Sequence, residues 1–394
     1  MVRNVIKVLV ILISFTSGSC KNVANKSSSK NKIYIDSLLN TRYQKYLDYE
    51  IDSLSFPRSY NTTAKELFKV ASNDWTSGFY PGNLWQLYKL TGDVAFKAKA
   101  IAWTTFMEKE KTNKGTHDMG FKMYSSFGEG YEVTGKEKYK EVLLKSATTL
   151  ATRFNDKVGS LRSWDFNKDT WEFPVIIDNM MNLELLFEAT KISGDSTFHN
   201  IAVRHANTTL KNHFRKDNSS VHVVVYDTIS GQVKDKVTHQ GLNDNSAWAR
   251  GQAWGIYGFT MCYRYTKNAL YLEQAEKSAA FYLYNGNLPE DGIPYWDFAD
   301  PQIPNVVKDV SAATITASAL VELFSYTNDT SYLDYADRVL YTLKSEEYIL
   351  SLEIEAPFIL DHSTGNWPKK DEMNVPIVYG DYYFLELMLR SKKI

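Results

Sequence analysis

The sequence predicts an all-α toroid of helix hairpins, with the working end at one open mouth. Three observations lead there: a turn signature that occurs five times, helical spacing of the apolar residues around it, and a scarcity of strand patterns. The signature reads Leu90-Thr91-Gly92-Asp93 before Phe96, Val133-Thr134-Gly135-Lys136 before Tyr139, Ile192-Ser193-Gly194-Asp195 before Phe198, Tyr265-Thr266-Lys267-Asn268 before Tyr271, and Tyr326-Thr327-Asn328-Asp329 before Tyr332. The Gly or Asn is read as the left-handed residue that closes one helix. The aromatic that follows anchors the next helix. Ahead of the first copy, Leu84, Trp85, Leu87, Tyr88 and Leu90 recur at helical rather than alternating spacing. Successive copies lie 43 to 73 residues apart, room for one helix hairpin and a variable loop. Five such turns imply ten or more helices in one domain.

Composition narrows the function. A net charge of -1 over 394 residues gives no footing for nucleic acid. A hydrophobic share of 44% can fill a large core, and 9 Trp with 26 Tyr is a profile that suits stacking on sugar rings as well as helical cores.

The N-terminus reads as a leader. Arg3 and Lys7 precede an apolar run from Val8 to Phe15, which is of signal-peptide length and too short to span a bilayer. Ser17-Gly18-Ser19-Cys20 then resembles a bacterial lipobox, with Ser17 where Leu is usual. Residues 1–20 are therefore expected to be a signal of lipoprotein type, with an ordinary secretory signal as the other reading. Residues 21–33, rich in Ser, Lys and Asn, are expected to be a flexible tether, and 34–394 a single catalytic domain. The expected location is the periplasm or the outer membrane of a Gram-negative bacterium, with membrane contact only through a lipid on Cys20. Cys262, alone in an apolar helix, is expected to be an inert buried thiol.

Along the domain, loops between helices hold unusual polar and aromatic sets. Asn73 to Gly82 contains Trp75. Gly115-Thr116-His117-Asp118-Met119-Gly120-Phe121 brings Asp118 to a helix start. Trp164-Asp165 precedes Phe173-Pro174-Val175-Ile176-Ile177-Asp178-Asn179-Met180-Met181-Asn182, which brings Asp178 to a second helix start. His222-Val223-Val224-Val225-Tyr226 is the clearest strand and reads as a small β-hairpin inserted in a loop. His239-Gln240-Gly241 leads to the segment Ser246 to Trp254, where Arg250 and Trp254 are four apart and share a helix face.

Each residue alone has a structural reading. Asp178 and Asp118 suit helix caps, Trp75 and Trp254 a core, Arg250 an ion pair, and His222 a satisfied histidine. Their joint placement beside glycines on successive loops is more than solvated loops need. A carboxyl among apolar and aromatic neighbours holds its proton to higher pH, which suits acid/base work. No His-x-x-x-His or cysteine cluster is present, so metal binding is not expected, and no phosphate loop or Gly-x-Ser-x-Gly elbow is present.

On these motifs, together with Asp74-Trp75-Thr76-Ser77-Gly78-Phe79 and Val378-Tyr379-Gly380-Asp381-Tyr382-Tyr383, the chain resembles the unsaturated glucuronyl hydrolases of glycoside hydrolase family 88 over almost all of residues 35 to 390. The resemblance implies an (α/α)6 barrel. It implies removal of a 4,5-unsaturated uronic acid from the non-reducing end of lyase-generated oligosaccharides, of glycosaminoglycan or ulvan type, by hydration of the double bond. It implies Asp178 as general acid and base, Asp118 as its helper, and no metal or organic cofactor, because the double bond supplies the reactivity. It places Trp75, Trp164, His222, Gln240, Arg250 and Trp254 against substrate. Ser363, Lys369 and Lys370 fall where some members hold sulfate, at a different spacing. The alternatives are an unsaturated rhamnogalacturonyl hydrolase on pectin fragments, an inverting glycosidase with two carboxyls about 6.5–9.5 Å apart, and a non-catalytic lipid-anchored glycan-binding protein.

Overall fold

The computed structural model describes residues 20–394, with side chains from residue 34 onward. Its helices are α1 (Cys20–Asp48), α2 (Phe79–Thr91), α3 (Val94–Phe106), α4 (Glu129–Thr134), α5 (Glu137–Ala151), α6 (Leu183–Ser193), α7 (Ser196–Asn212), α8 (Ala249–Thr266), α9 (Ala269–Leu283), α10 (Val310–Thr327), α11 (Thr330–Leu343) and α12 (Val378–Ser391). A π-helical stretch, Gly120–Gly128, runs directly into α4. The inner ring is α2, the π-helical stretch with α4, α6, α8, α10 and α12: α2 touches both the π stretch and α4, the π stretch touches α6, and the contacts run on through α8, α10 and α12 back to α2. The odd-numbered helices lie outside them. This is the (α/α)6 barrel.

Burial separates the two layers. Along α10 every residue from Val310 to Val321 is buried, as an element enclosed on all sides requires. Along α11 only Tyr332, Tyr335, Ala336, Val339 and Leu343 are buried, the single stripe of an amphipathic outer helix.

The five turn signatures are the five short inner-to-outer connections, and they share one hydrogen-bond plan. Gly92, Gly135, Gly194, Lys267 and Asn328 each take a positive φ after the last helical residue. The Ser or Thr before each donates its hydroxyl to the carbonyl four residues back. The same hydroxyl accepts the N–H two residues on. Asp93, Asp195, Asn268 and Asp329 then cap the outer helix through their side chains. Phe96, Tyr139, Phe198, Tyr271 and Tyr332 are all buried. The fourth copy departs from the Gly-or-Asn expectation: Lys267, not Asn268, is left-handed, with φ 56. Its ammonium lies over the Tyr326 and Tyr263 rings, 4.6 and 5.1 Å from their centroids, which offsets part of the backbone cost.

All the long connections therefore gather at the other end, where the inner helices begin. There the sequence is corrected. One β-hairpin is expected, but four small sheets are present: β1 (Phe56–Asn61) with β2 (Glu66–Val70), β3 (Phe154–Asn155) with β4 (Ser160–Leu161), β5 (Phe173–Ile176) with β6 (Val223–Tyr226) and β7 (Val233–Val237), and β8 (Ser363–Asn366) with β9 (Asp371–Val375). Most are too short to show alternation, and β5 pairs antiparallel with a strand far along the chain, so no local pattern marks it.

The expected leader lies outside the described residues, apart from the backbone at Cys20, where α1 begins. Residues 21–33, which read as a tether, are helical as the start of α1, and the helix meets the core from Ile35 and Leu38 onward. Cys262 is a free, buried thiol in α8.

Candidate active site

The site is built by two contacts between distant segments. First, the motif around Asp118 docks on the motif around Asp178. Asn182 Oδ1 accepts the N–H of Phe121 at 3.0 Å. A Cβ on Gly120 would lie 2.5 Å from the Asn182 Cα, so only glycine allows the two chains this close. Second, β5 pairs with β6 so that Ile176 faces Val223. The ladder continues one step, with Ile177 N–H donated to the His222 carbonyl at 3.0 Å. His222 thus stands beside Asp178.

Neither aspartate is a cap. Asp178 lies in the first turn of a 3-10 segment, Ile177–Asn182, which has no side-chain cap. Its Oδ2 has no hydrogen-bond partner. Its side chain keeps 13% exposure, so protein encloses the carboxyl while one opening reaches it. Burial pushes its pKa up to about 7, Arg250 pulls against the rise, and Asp118 adds to it. Asp118 Oδ2 accepts the Thr116 hydroxyl at 2.9 Å, and Oδ1 faces His117 Nε2 at 3.2 Å.

His222 is fixed in one tautomer. Its Nδ1 accepts the backbone N–H groups of His239 and Gln240, each at 3.1 Å. The proton is then on Nε2, which lies 3.7 Å from Asp178 Oδ2, beyond hydrogen-bond distance. Burial holds its pKa well below the ordinary value, so the ring is a neutral donor.

Arg250 is buried at the start of α8. It pairs with Asp309 at 2.7 Å and donates to the carbonyls of Thr364 and Gly365. Asp309 caps α10 through the Ser311 N–H at 3.0 Å and also accepts Thr364 N–H at 3.2 Å. Arg250 therefore ties three long connections together with its charge largely balanced. Its guanidinium also lies over Trp248 and Tyr379, 4.5 and 5.3 Å from the ring centroids.

The other expected residues divide by exposure. Trp75 and Trp164 are half-buried and can wall the opening. Trp75 packs on Tyr379, with centroids 4.9 Å apart. Trp164 stacks on Phe166 at 4.9 Å and meets the His222 ring edge-on at 5.8 Å. Gln240 donates to the Gly365 carbonyl at 3.3 Å. Trp254, expected as a wall, is fully buried between Phe121 and Tyr383 and forms the floor. Its indole N–H lies outside strict hydrogen-bond geometry, yet close enough to Asp178 to favour the ionised carboxyl. Ser363 is buried under the start of α12, and Lys369 and Lys370 are exposed. The Lys370 ammonium sits 3.7 Å from the centroid of Trp367, which stacks on Trp296.

His117, Ser163, Trp248 and Asp309 complete the arrangement and were not singled out by sequence reasoning. The Asp309-Val-Ser311 pattern before an apolar run is a cap signal, so Asp309 was findable. Ser163 had no signal, because its role is to bridge: its carbonyl takes His117 Nδ1 at 2.7 Å and its hydroxyl accepts Ile176 N–H at 3.0 Å.

Among the described residues no group of three or more His, Cys, Asp or Glu side chains is placed to hold a metal ion. A cavity of about 1620 Å³ opens at the opposite, short-turn end of the barrel. Its central charges are paired: Arg264 with Glu184 and Glu322, Arg390 with Glu322 and Glu386, Lys89 with Glu129 and Glu132. Asp118 and Asp178 lie at the long-loop end.

The model for glycosyl hydrolase family 88 matches residues 53–286. The chain belongs to glycoside hydrolase family 88. It is 58% identical to an unsaturated glucuronyl hydrolase of Formosa agariphila over 390 residues, with 98% of each chain covered. Among solved structures, it superposes on an unsaturated glucuronyl hydrolase specific for heparin with a TM-score of 0.88 and 43% identity, covering 92% of this chain and 98% of the other. The Bacillus sp. GL1 unsaturated glucuronyl hydrolase, responsible for the degradation of glycosaminoglycan, gives a TM-score of 0.84 at 31% identity, covering 91% and 96%. The chain is a glycoside hydrolase, and its activity is that of an unsaturated glucuronyl hydrolase.

Proposed function

We propose that the chain removes a 4,5-unsaturated uronic acid from the non-reducing end of lyase-generated oligosaccharides by adding water across the C4=C5 bond, with Asp178 as the proton carrier. The observation that carries this is the state of Asp178: enclosed, without a hydrogen-bond partner on Oδ2, and still protonated near neutral pH. Such a carboxyl can give its proton to C4. Positive charge then develops at C5, shared with the ring oxygen. Water adds at C5 while the Asp178 carboxylate takes its proton. The product is a hemiketal, and its opening releases the rest of the chain.

The surrounding groups fit that sequence. Asp118 accepts hydrogen bonds from the sugar and offsets the developing charge. His222 is a neutral Nε2–H donor beside the acid. The inner helices all begin at this end, and their N-termini favour the sugar carboxylate. Trp75 and Trp164 hold the ring faces.

The substrate is of glycosaminoglycan or ulvan type. Support comes from relatives whose substrates are known by name: the heparin-specific structure and a Streptococcus agalactiae variant complexed with dGlcA-GalNAc6S, at 26% identity and TM-score 0.74. Export with a lipid on Cys20 rests on the basic start, the apolar run and the small residues before the cysteine.

The test is a panel of unsaturated disaccharides from heparin, chondroitin, ulvan and pectin lyases, with the double-bond ultraviolet absorbance followed in time. Loss of absorbance on a glycosaminoglycan or ulvan product supports the reading. Turnover of pectin products alone, or of saturated glycosides without lyase treatment, overturns it. Membrane release on Cys20→Ala tests the anchor.

A further inference from the structure

Two sides of the opening come from segments far apart in the chain. One is the loop that carries Trp75. The other is the hairpin of β8 and β9, whose Gly365 carbonyl accepts Arg250 and the side chain of Gln240. Gln240 also donates its backbone N–H to His222, so the hairpin is tied to the part of the site that holds the acid. Arg58, in β1, lies between the two sides. Its Nη1 donates to Asp74 Oδ2 at 3.0 Å. Its Nε and Nη2 form a fork on Glu372, at 2.9 Å to Oε1 and 2.6 Å to Oε2. β1 is itself fastened beside the hairpin, with Tyr60 N–H donated to the Pro376 carbonyl at 3.2 Å.

Each grip falls where it controls a shape. Asp74 directly precedes Trp75. Its Oδ1 accepts the Thr76 N–H at 2.9 Å and the Thr76 hydroxyl at 2.6 Å, which closes a turn around the tryptophan and leaves Oδ2 for Arg58. Glu372 lies opposite Gly365 across the hairpin, where a Cβ on Gly365 would come 2.8 Å from the Glu372 Cβ. Lys370, Glu372 and Asn374 all have positive φ, at 55, 51 and 55. Residues with a side chain resist that backbone, so β9 depends on tethers from outside its own ladder. The ion pairs are largely out of water, with side-chain exposures of 17% for Arg58, 22% for Asp74 and 4% for Glu372. The guanidinium also lies over the Phe68 ring, 5.6 Å from its centroid. A bridge shielded in this way is screened less than a surface pair.

We propose that Arg58 is a positioning residue: it braces the Trp75 loop against the β8–β9 hairpin and so sets the width of the opening between them. The inference rests on the hydrolase reading above, which places the sugar ring against Trp75. Asp118 and Asp178 are joined to each other through other segments, at Phe121 and Asn182. A wall that touches the ring both before and during reaction contributes to binding throughout, so loss of the brace falls mainly on KM.

The test uses two variants. Arg58→Met keeps the stem and removes both ion pairs. Glu372→Ala frees the hairpin but leaves Arg58 on Asp74, and it carries the measurements where Arg58→Met does not fold. On an unsaturated disaccharide each folded variant should raise KM about tenfold or more, with kcat reduced by less than about threefold. A lower melting temperature with KM unchanged is the mark of a purely structural ion pair, and it overturns the proposal. A double-mutant cycle checks the route. In a Trp75→Ala background, loss of the brace should cost little more in kcat/KM, and a fully additive loss overturns the proposal. Hydrogen exchange without substrate reads the brace itself. Both variants should exchange faster in residues 72–77 and in residues 363–375, with the inner helices unchanged. Faster exchange in one of these segments alone, or in neither, overturns the proposal. A wild type that leaves the double bond untouched, with the exchange result as expected, counts against the hydrolase reading and leaves the brace standing.

Discussion

His222 Nε2 stands 3.7 Å from Asp178 Oδ2, with its proton fixed there by two backbone N–H groups on Nδ1. The ring is a neutral donor beside the acid, and it has no lone pair free to take the Asp178 proton, because Nδ1 already accepts both N–H groups. It does not neutralise a standing charge. His222→Phe removes the donor and also leaves the His239 and Gln240 N–H groups without an acceptor. The expected loss is about 1–3 kcal/mol of stability by chemical denaturation, together with a large fall in kcat. His222→Gln, which keeps an amide group in place, should lose less of both.

Asp178→Asn should lower kcat by about 10²–10⁴-fold while the far-ultraviolet circular dichroism stays that of the wild type. A variant with ordinary turnover on an unsaturated disaccharide would remove Asp178 from the mechanism.

The same substitution has a pH signature in stability. In the unfolded chain an Asp ionises near its ordinary value of about 4, whereas folded Asp178 keeps its proton up to about 7. The unfolded state therefore releases this proton first, and stability falls as pH rises between those values. Asp381, buried and also pushed up to about 7, adds to the same slope. Asp178→Asn removes its share, so its melting temperature should gain on the wild type as pH goes from 4 to 7, with no further gain above that. A constant difference across the range would refute the assignment.

Activity should share that titration from the other side. The acid must be protonated to attack C4, so kcat/KM is expected to drop about tenfold per pH unit above about 7. A profile flat to pH 9 would show that another group donates the proton.

Asp309→Ala exposes the second role of Arg250. It strips the cap of α10 and leaves a guanidinium of 1% exposure without its counter-charge. The expected cost is about 3–5 kcal/mol in urea unfolding. Asp309→Asn keeps the cap and should cost less. Equal effects would mean that the ion pair, not the cap, is what matters.

The frame of this protein was legible because its signals are local. At Thr91-Gly92-Asp93 and its four counterparts, each hydrogen bond joins residues within four positions of one another, so the pattern is written in consecutive letters. The site was legible only as parts. Asp118 and Asp178 could be nominated from their surroundings, but the contact that unites them, Phe121 N–H to Asn182, spans 61 residues. The pairing of β5 with β6, which sets His222 beside Asp178, likewise joins distant segments. Trp254 was misjudged because spacing shows which helix face a side chain lies on and not how deep that face lies in the barrel. Ser163 had no local mark at all, since what it does depends on partners brought from elsewhere, among them His117, Arg153 and Ile176.

The sorting of short turns to one end and long connections to the other has an evolutionary consequence. The turns that hold the ring closed share no residue with the loops that meet the sugar. Insertions, deletions and exchanges among those loops can therefore accumulate without reopening the barrel. A change in which polysaccharide is served can come from trading one loop between relatives, with the twelve-helix chassis left as it is.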